Sequence, residues 1–524
     1  MLEERLKCYI GKRNAITAFI LFVIGYVAHI GIWLFKLGTY DANCSGMFHY
    51  TPDWEASLGR WMIKPIDAFN NYLAVPTFTG AIAVAIFALS TTMVLVLMEI
   101  DDIIARIILG ALFILTPCVC VTLSSFYCAI DYSLALLFSA IFVYYCKKKC
   151  SLYNIIIACI ALVMSLAIYQ AYIGTSAALC LSLLVLMLIK GENIIDVIKK
   201  GLYMLGIAIV STLLYHCIAR LVVYAKGLEM NSYGGANRLL ETSFLDIKIA
   251  ISIAYQTFKS SLMGYCGIVD SQFYRGKYYM MTAIAITFVL LLCIIIIRKY
   301  YHEPIRLVLI AMLLLVFPLA SGIVMFITKG HSMTYLMSQG IYVFIILCGS
   351  IVMYSNPQIQ YKPIYNVGMA FWVAISLFTY ELFAINNGTY EYFHIRHNSA
   401  IATGNRVLAI AEMLPEYKSE TEFCFAGAFN NDYPIDTYLE KISLEKYCEW
   451  GCDNYTFNKA IIENLYREDI GSSITLCDDA TYTKIVASDE FMMMPVYPCY
   501  GSIKIIDEVC IVKLEENPSL PSSN

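Results

Sequence analysis

About eleven apolar stretches, each of roughly 17–25 residues, divide this chain of 524 residues, and a stretch of that length can cross the core of a bilayer as one helix. The composition agrees, because 59% of the residues are hydrophobic and 15% are charged, whereas soluble domains have about 45–50% and 25%. The sequence therefore predicts an α-helical polytopic membrane protein. The predicted spans are 15–37, 74–98, 107–126, 129–146, 153–169, 171–189, 202–224, 278–297, 306–327, 336–354 and 363–386. A further stretch, 248–265, carries Lys248 and Lys259 and suits an interfacial helix better than a span.

Several classes of protein are excluded by these numbers. The apolar content exceeds what a soluble core can bury and is incompatible with a disordered chain. The formal net charge of −4 offers no basic surface for nucleic acid. The sequence also contains no Walker loop, no GxGxxG and no HExxH, so the parts of a nucleotide-driven pump or of a metalloprotease are missing.

The balance of acidic and basic residues changes near residue 387. Residues 387–524 hold 22 acidic and 10 basic side chains, whereas the residues before them carry a net positive charge. We expect residues 1–386 to form the membrane domain and residues 387–524 to form a small water-soluble α/β domain. Its helical runs are predicted at 398–415 and 456–467 and its apolar strands at 421–427 and 502–514.

The short loops predict the orientation of the chain, because Lys and Arg are retained on the cytoplasmic side. Lys12, Lys147–Lys149, Lys190 and Arg298 all fall on one side of the predicted spans. We therefore expect a multi-pass protein of the bacterial cytoplasmic (inner) membrane with a cytoplasmic N-terminus. Segments 38–73, 225–277, 328–335 and 387–524 then lie outside the cytoplasm. The first apolar stretch is full length and lacks a small-residue cleavage site, so we expect it to remain as a span.

Six of the 19 cysteines lie in the C-terminal segment, where an extracytoplasmic location would permit disulfides. Six cysteines allow 15 pairings, so the connectivity stays open. A zinc site is the alternative, and no histidine pattern accompanies the cysteines to support it. The six are Cys424, Cys448, Cys452, Cys477, Cys499 and Cys510.

The first predicted outside loop, residues 38–73, concentrates ionisable side chains next to a span. Asp41 follows the span directly, and Asp53, Glu55, Arg60 and Lys64 come later in the loop. A charge left unpaired in the bilayer costs about 2.5–3.5 kcal/mol, so such groups are candidates for function. From Asp53 onward the pattern is also typical of an amphipathic interfacial helix with solvated charges.

Other candidates lie at the same predicted side of the membrane. Asp131 starts the fourth span, where it could also serve as a helix N-cap or a first-turn acid. The turn YQAYIG contains Tyr169 and Gln170, and Gln170 could instead cap the turn. The loop 225–277 contains Arg238 and Arg275, which could hold a phosphate within a glycine-containing lid or belong to a plain connection.

Four of these motifs occur in an order that resembles one known family. They are an Asp directly after the first span (TYDAN), a Gly-Arg pair (LGRW), an aromatic-then-Asp start to the fourth span (FYCAIDYSLA) and the YQAYIG turn. The pattern is similar to that of the bacterial and phage glucosyltransferase II family, O-antigen-modifying enzymes of the C-type glycosyltransferase superfamily. The resemblance covers roughly residues 10–390. Members often have two adjacent acids in the first loop, whereas Ala42 follows Asp41 here, so Asp53 or Glu55 would supply the second acid.

The resemblance implies an inverting transfer of a hexose from a polyprenyl-phosphate donor to a glycan acceptor at the outer side of the membrane. It makes Asp41 the general base, with Asp53 and Glu55 as further catalytic candidates. The substrate-binding candidates are Arg60, Lys64, Asp131, Tyr169, Gln170, Arg238 and Arg275. No metal ligand is assigned and no cofactor is certain, although a divalent cation (Mg or Mn) held by loop carboxylates stays open. The partners would be the lipid-linked sugar donor, the glycan acceptor and membrane lipid, without nucleic acid.

A second class of protein remains open, namely a flippase or transporter of lipid-linked sugar. Its signature would be charges deep inside several spans, broken helices and two similar halves. Here the charges collect at one face instead. A third class, a receptor-like protein with a partner-binding tail, would not require so many spans.

Overall fold

The computed structural model describes residues 11–49, 52–231, 243–262, 300–326, 333–355, 362–429 and 458–519, together with Val289. Helices dominate these residues. In the first half of the chain the helices are α1 (Lys12–Ala28), α2 (Ile30–Leu34), α3 (Tyr40–Ser45), α4 (Pro52–Ser57), α5 (Ile63–Phe69), α6 (Pro76–Leu97), α7 (Ile103–Ile114), α8 (Pro117–Ser124), α9 (Ala129–Lys147), α10 (Leu152–Ile168), α11 (Tyr172–Lys190), α12 (Ile194–Ala225) and α13 (Phe244–Leu262). They are followed by α14 (Pro304–Ser321), α15 (Gln339–Ser355), α16 (Lys362–Glu412), α17 (Lys459–Asn464), α18 (Asp479–Val486) and α19 (Asp489–Met493).

The long apolar helices agree with a membrane protein. Within the described residues, six helices are long and apolar enough to cross a bilayer, or seven if the bent pair α7–α8 forms one span. The six are α6, α9, α11, α12, α14 and the part of α16 from Gly368 to Glu412. The predicted total of eleven is not reached within the described residues. The predicted span 15–37 is divided into α1 and α2 at His29, and neither is long enough to count. Helices α10 and α15 fall in a shorter apolar class, and the predicted span 278–297 lies outside the described residues apart from Val289.

The bend between α7 and α8 measures 51° and lies at Thr116 and Pro117, where proline cannot donate to the helical ladder. Three side chains from other helices satisfy successive carbonyl oxygens there. Gln339 Nε2 donates to the oxygen of Phe113 at 3.1 Å, His29 Nε2 lies 3.1 Å from that of Ile114, and Asn386 Nδ2 donates to that of Leu115 at 3.0 Å. The bend therefore joins α1, α15 and α16 to the centre of the bundle.

The basic loops gather at one end of the bundle. Glu99, after α6, forms ion pairs with Lys147 at the end of α9 and Lys190 at the end of α11. Lys200 donates to the carbonyl oxygen of Lys148 at 2.9 Å, and Arg306 donates to that of Leu188 at 2.9 Å. This end is opposite the first turn of α9, and it is the end that the positive charges predict to be cytoplasmic.

The first polar loop, residues 38–73, folds into the short helices α3, α4 and α5. A β-bridge between Phe48 and Leu73 closes the loop on itself. The backbone N–H of Met62 donates to the carbonyl oxygen of Ala167 at 3.1 Å, which ties the loop to the end of α10. These contacts hold the loop against the bundle at the end away from the basic residues.

The C-terminal segment begins within α16, a single helix that runs continuously through residue 387, where the domain boundary was predicted. Its described part contains a four-stranded sheet in the order β2 (Thr475–Leu476), β1 (Glu422–Ala426), β4 (Val509–Lys513) and β3 (Ile503–Ile506). Strands β1 and β4 are parallel, and β3–β4 is an antiparallel pair. The predicted strands 421–427 and 502–514 correspond to β1 and to the β3–β4 pair.

Helix α17 and the π-helical turn after it (Leu465–Ile470) pack this segment onto α3. Asn464 Nδ2 donates to the carbonyl oxygens of Asn43 at 2.7 Å and Cys44 at 3.0 Å. The ring of His394 on α16 stacks on Phe35 with 3.7 Å between centroids. The first polar loop is therefore held between the bundle and the C-terminal segment.

Candidate functional site

Arg60 stands at the centre of the candidate site because the turn before it can be formed only by a residue without a side chain. Gly59 has φ +85°, and a Cβ there would lie 2.5 Å from the Tyr215 hydroxyl oxygen. The carbonyl oxygen of Gly59 accepts a hydrogen bond from that hydroxyl at 3.3 Å. Glycine alone meets both requirements without strain. In the predicted Gly-Arg pair, the turn at Gly59 therefore positions the side chain of Arg60.

The guanidinium of Arg60 is held on three sides. Its Nη1 donates to Glu55 Oε2 at 3.1 Å and to the Tyr132 hydroxyl at 3.3 Å, and its Cζ lies 4.8 Å from the centroid of the Tyr169 ring. Tyr132 and Tyr169 stack with centroids 4.5 Å apart. The Nε of Arg60 is buried and has no hydrogen-bond partner among the described residues. A planar cation fixed in this way retains a donor for an anion.

Gln170 holds this turn in place. Its Nε2 donates to the carbonyl oxygen of Leu58 at 2.7 Å and to the Tyr215 hydroxyl at 2.7 Å. The YQAYIG turn thus brings an aromatic ring under Arg60 through Tyr169 and fixes the loop backbone through Gln170. Neither contact is between sequence neighbours, which explains why sequence alone left the role of Gln170 open.

Asp131 lies in the first turn of α9 and is 1% exposed. Cys128 occupies the N-cap position of this helix, so Asp131 is a first-turn acid and not the N-cap. Both of its carboxylate oxygens are buried without a hydrogen-bond partner in the described part of the chain. Buried polar atoms are normally paired, and an exception needs an explanation such as a ligand or water.

The other acids of the first polar loop differ in their surroundings. Asp41, on α3, is exposed to solvent. Partial desolvation by the surrounding protein nevertheless raises its pKa. The nearby Glu55 carboxylate also raises this pKa, and Arg60 lowers it. Asp53 lies at the surface, where Lys226 Nζ donates to its Oδ1 at 2.9 Å and holds its pKa below the usual range. Lys64 lies near Asp53 and also lowers that pKa. Of Asp41 and Asp53, Asp41 is the one whose pKa is affected by Arg60.

A buried histidine–aspartate pair in the first polar loop is not among the residues that the sequence predicted for the site. His49 Nδ1 and Asp67 Oδ2 are hydrogen bonded at 2.6 Å, and burial raises the pKa of Asp67 although the contact with His49 opposes the rise. The ring of His49 meets Tyr127 edge-on at 4.9 Å. Their 18-residue separation carries no helical or strand periodicity, so only the closed loop could bring the two residues together.

Two predicted elements of the site remain without a structural description. Arg238 and Arg275 lie outside the described residues. Among the residues that the structure does describe, no group of three or more His, Cys, Asp or Glu side chains is arranged to hold a metal ion.

The fold and this site together define a class. Long apolar helices carry a polar loop whose partly buried arginine, carboxylates and stacked tyrosines lie at one end of the bundle, which is the arrangement of a membrane protein with a polar site at one end of its helices. A family model described as glucosyl transferase GtrII matches residues 40–348, more than half of the chain. The chain belongs to this family, as the resemblance predicted, and is a membrane-associated glucosyltransferase. No curated protein and no solved structure matches it.

Proposed function

We propose that this protein transfers a hexose, most simply glucose, from a polyprenyl-phosphate carrier to a cell-surface glycan at the outer face of the bacterial inner membrane. The observation that carries the proposal is Arg60, a partly buried guanidinium whose Nε has no hydrogen-bond partner among the described residues, at the end of the bundle opposite the basic loops. The phosphate of a lipid-linked donor at the outer membrane surface would lie at this end of the bundle. The donor is already activated by its phosphate, which agrees with the missing nucleotide-binding motif.

The proposed reaction is a single displacement. The acceptor hydroxyl oxygen attacks the anomeric carbon, its proton passes to a carboxylate, and the bond between that carbon and the phosphate oxygen breaks with its electrons going to the phosphate. One displacement inverts the anomeric configuration. Arg60 stabilises the charge that develops on the leaving phosphate, and removing such a donor typically costs about 10²–10³ in rate.

Asp41 is the proposed general base. It is solvent-accessible, and desolvation together with Glu55 raises its pKa, which brings a carboxylate closer to the pH at which a base works best. Asp53 is a weaker candidate because Lys226 already occupies its carboxylate. Glu55 is 4% exposed and paired with Arg60, so we assign it to holding Arg60.

The remaining predicted residues take supporting roles. We assign Asp131 to a sugar hydroxyl, since neither of its oxygens has a partner among the described residues, and Tyr169 and Gln170 to positioning Arg60. Lys64 would attract the donor at the rim. Arg238 and Arg275 would supply further cations from the loop 225–277.

The test is sugar transfer in reconstituted vesicles that contain radiolabelled polyprenyl-phosphate hexose and a glycan acceptor. We expect transfer by the wild-type protein, at least a hundredfold loss in Asp41→Asn, and less than threefold loss in the matched control Asp53→Asn, because that carboxylate lies at the surface. Loss in Asp53→Asn with activity retained in Asp41→Asn would transfer the role of base to Asp53.

A carrier is the second candidate, favoured by the bent pair α7–α8, because interrupted helices line substrate paths in many transporters. The same vesicles separate the two functions. Label that crosses the bilayer while remaining on its lipid would establish the carrier and refute the transferase.

A further inference from the structure

A cavity of about 60 Å³ lies where α3 and the turn after it face α17 and the π-helical turn. It is larger than one water molecule needs and smaller than the cavity of about 150 Å³ that accepts a benzene ring. A site of this size can take one polar edge of a small ring and leave the rest of the molecule outside.

Three polar side chains converge on this cavity at distances that exceed a direct hydrogen bond. Asp469 Oδ1 lies 3.7 Å from His397 Nε2 and 3.9 Å from Lys36 Nζ. Direct N–H···O bonds measure about 2.7–3.2 Å, so Asp469 Oδ1 is not directly hydrogen bonded to either nitrogen. A hydroxyl beside the Lys36–Asp469 pair could donate to Asp469 and accept from Lys36.

Glu468 adds a second acceptor. Its Oε1 accepts from the backbone N–H of Met47 at 3.1 Å and from Arg467 at 3.0 Å. Its Oε2 accepts no hydrogen bond from the described residues. The docking contacts therefore fix this carboxylate while leaving one of its oxygens available, next to the carboxylate of Asp469.

The rest of the lining is apolar and includes Phe126 and Val75. A few fixed polar groups beside an apolar wall are typical of small-molecule sites, and paired carboxylates that only accept hydrogen bonds suit ligands rich in hydroxyl donors. Two carboxylates also oppose a second anion, so a phosphate is disfavoured here. Ala42 and Asn43 line the cavity, and they follow Asp41 directly on α3.

We propose that this cavity binds one edge of a neutral hexopyranose unit in the acceptor glycan, through Asp469, Glu468 and Lys36. The inference rests on the proposed function for the identity of the ligand as acceptor. It assigns the C-terminal segment a direct part in acceptor binding.

Binding can be measured without any transfer. The full chain in lipid nanodiscs is mixed with methyl glycosides of glucose, galactose, mannose and rhamnose, and binding is followed by saturation-transfer NMR with no donor present. We expect at least one glycoside to bind, and Asp469→Asn and Glu468→Gln each to weaken its binding about tenfold. Glu468→Gln keeps the oxygen that accepts from Met47, so it preserves the docking contact. The matched control is Asp479→Asn, a carboxylate of the same segment that is paired with Lys459 at 2.6 Å.

A photoreactive form of the bound glycoside supplies a second readout. We expect it to label peptides that contain residues 40–47 or 459–470. The proposal is overturned if none of the glycosides binds, if both variants bind as the wild type does, or if labelling occurs only elsewhere. Binding that depends on Asp469 and Glu468 without any sugar transfer in vesicles would keep this inference and refute the proposed function.

Discussion

The side chains around Arg60 hold its guanidinium and the backbone of the preceding turn in place. Glu55, Tyr132 and Tyr169 hold the guanidinium, and Gln170 fixes the backbone of the turn. Removing one partner of a buried ion pair costs about 3–5 kcal/mol because the other charge is left unpaired. Loss of activity in a single variant can therefore reflect misfolding as well as chemistry.

A paired substitution separates these two effects at Arg60. We expect Arg60→Met to lower both the melting temperature and the transfer rate, because Glu55 is then buried without its partner. Adding Glu55→Gln removes that unpaired charge, so the melting temperature recovers while transfer stays about a hundredfold or more below wild type. Thermal unfolding in detergent and the vesicle assay provide the two measurements. Recovery of transfer in the double variant would exclude a role for Arg60 in catalysis.

The raised pKa of Asp41 predicts a pH dependence. A general base works when deprotonated, so kcat/KM falls as the pH drops through the pKa of Asp41, which desolvation and Glu55 place above the ordinary value for aspartate. Replacing Glu55 by Gln removes a negative charge that raises this pKa and leaves Arg60, which lowers it. We expect the acidic limb of the pH profile to move to lower pH in Glu55→Gln. An unmoved limb would show that the titrating group is not Asp41.

At the scale of elements, the bend between α7 and α8 depends on side chains from distant helices. Asn386 is 0% exposed and satisfies the carbonyl oxygen of Leu115, while His29 also contacts the Tyr390 hydroxyl at 2.6 Å. An unsatisfied buried carbonyl costs about 1–3 kcal/mol. The bend is therefore stable only in the assembled bundle.

We expect Asn386→Leu to destabilise the protein by about 1–3 kcal/mol. The control is Asn405→Leu on the same helix, since the exposed side chain of Asn405 donates at 3.0 Å to the carbonyl oxygen of Ile401 within that helix, which already belongs to the helical ladder. Reversible unfolding in mixed micelles measures both variants. Equal stability of the two would contradict the capping of the bend by Asn386.

The contact between α3 and the C-terminal segment requires Gly46. Its φ is +67° and its ψ is −155°, a region occupied almost only by glycine, and a Cβ there would lie 2.7 Å from Glu468 Oε1 and 2.9 Å from Asn464 Nδ2. We expect Gly46→Ala to increase hydrogen exchange of residues 40–47 and 459–470. Gly206→Ala, which meets nothing within 4 Å, should leave exchange there unchanged. Unchanged protection in Gly46→Ala would refute this contact.

At the scale of the whole molecule, the two ends of the bundle differ in charge and in chemistry. Lysines and Arg306 surround Glu99 and the neighbouring backbone at one end, whereas the carboxylates, Arg60 and the C-terminal segment lie at the other. The positive charges predict that the first end faces the cytoplasm.

Two native cysteines can test this orientation. Cys150, between α9 and α10, and Cys499, in the C-terminal segment, are both exposed, and the predicted topology places them on opposite sides of the membrane. We expect a membrane-impermeant maleimide to modify Cys499 and spare Cys150 in intact spheroplasts, and to modify both after lysis. Peptide mapping identifies the labelled thiols. Modification of Cys150 alone in intact spheroplasts would reverse the orientation.

The sequence by itself determined the class of protein, most of the long helices and the family, because hydrophobic length, charge in loops and short motifs are local properties of the chain. It also selected Glu55, Arg60, Tyr169 and Gln170. Only the tertiary structure decided that Tyr215 and Gln170 fix the Arg60 turn, that His49 meets Asp67, and that α17 lies on α3. These contacts join residues that are tens to hundreds of positions apart, and no local pattern encodes them, since they exist only when the whole bundle has closed.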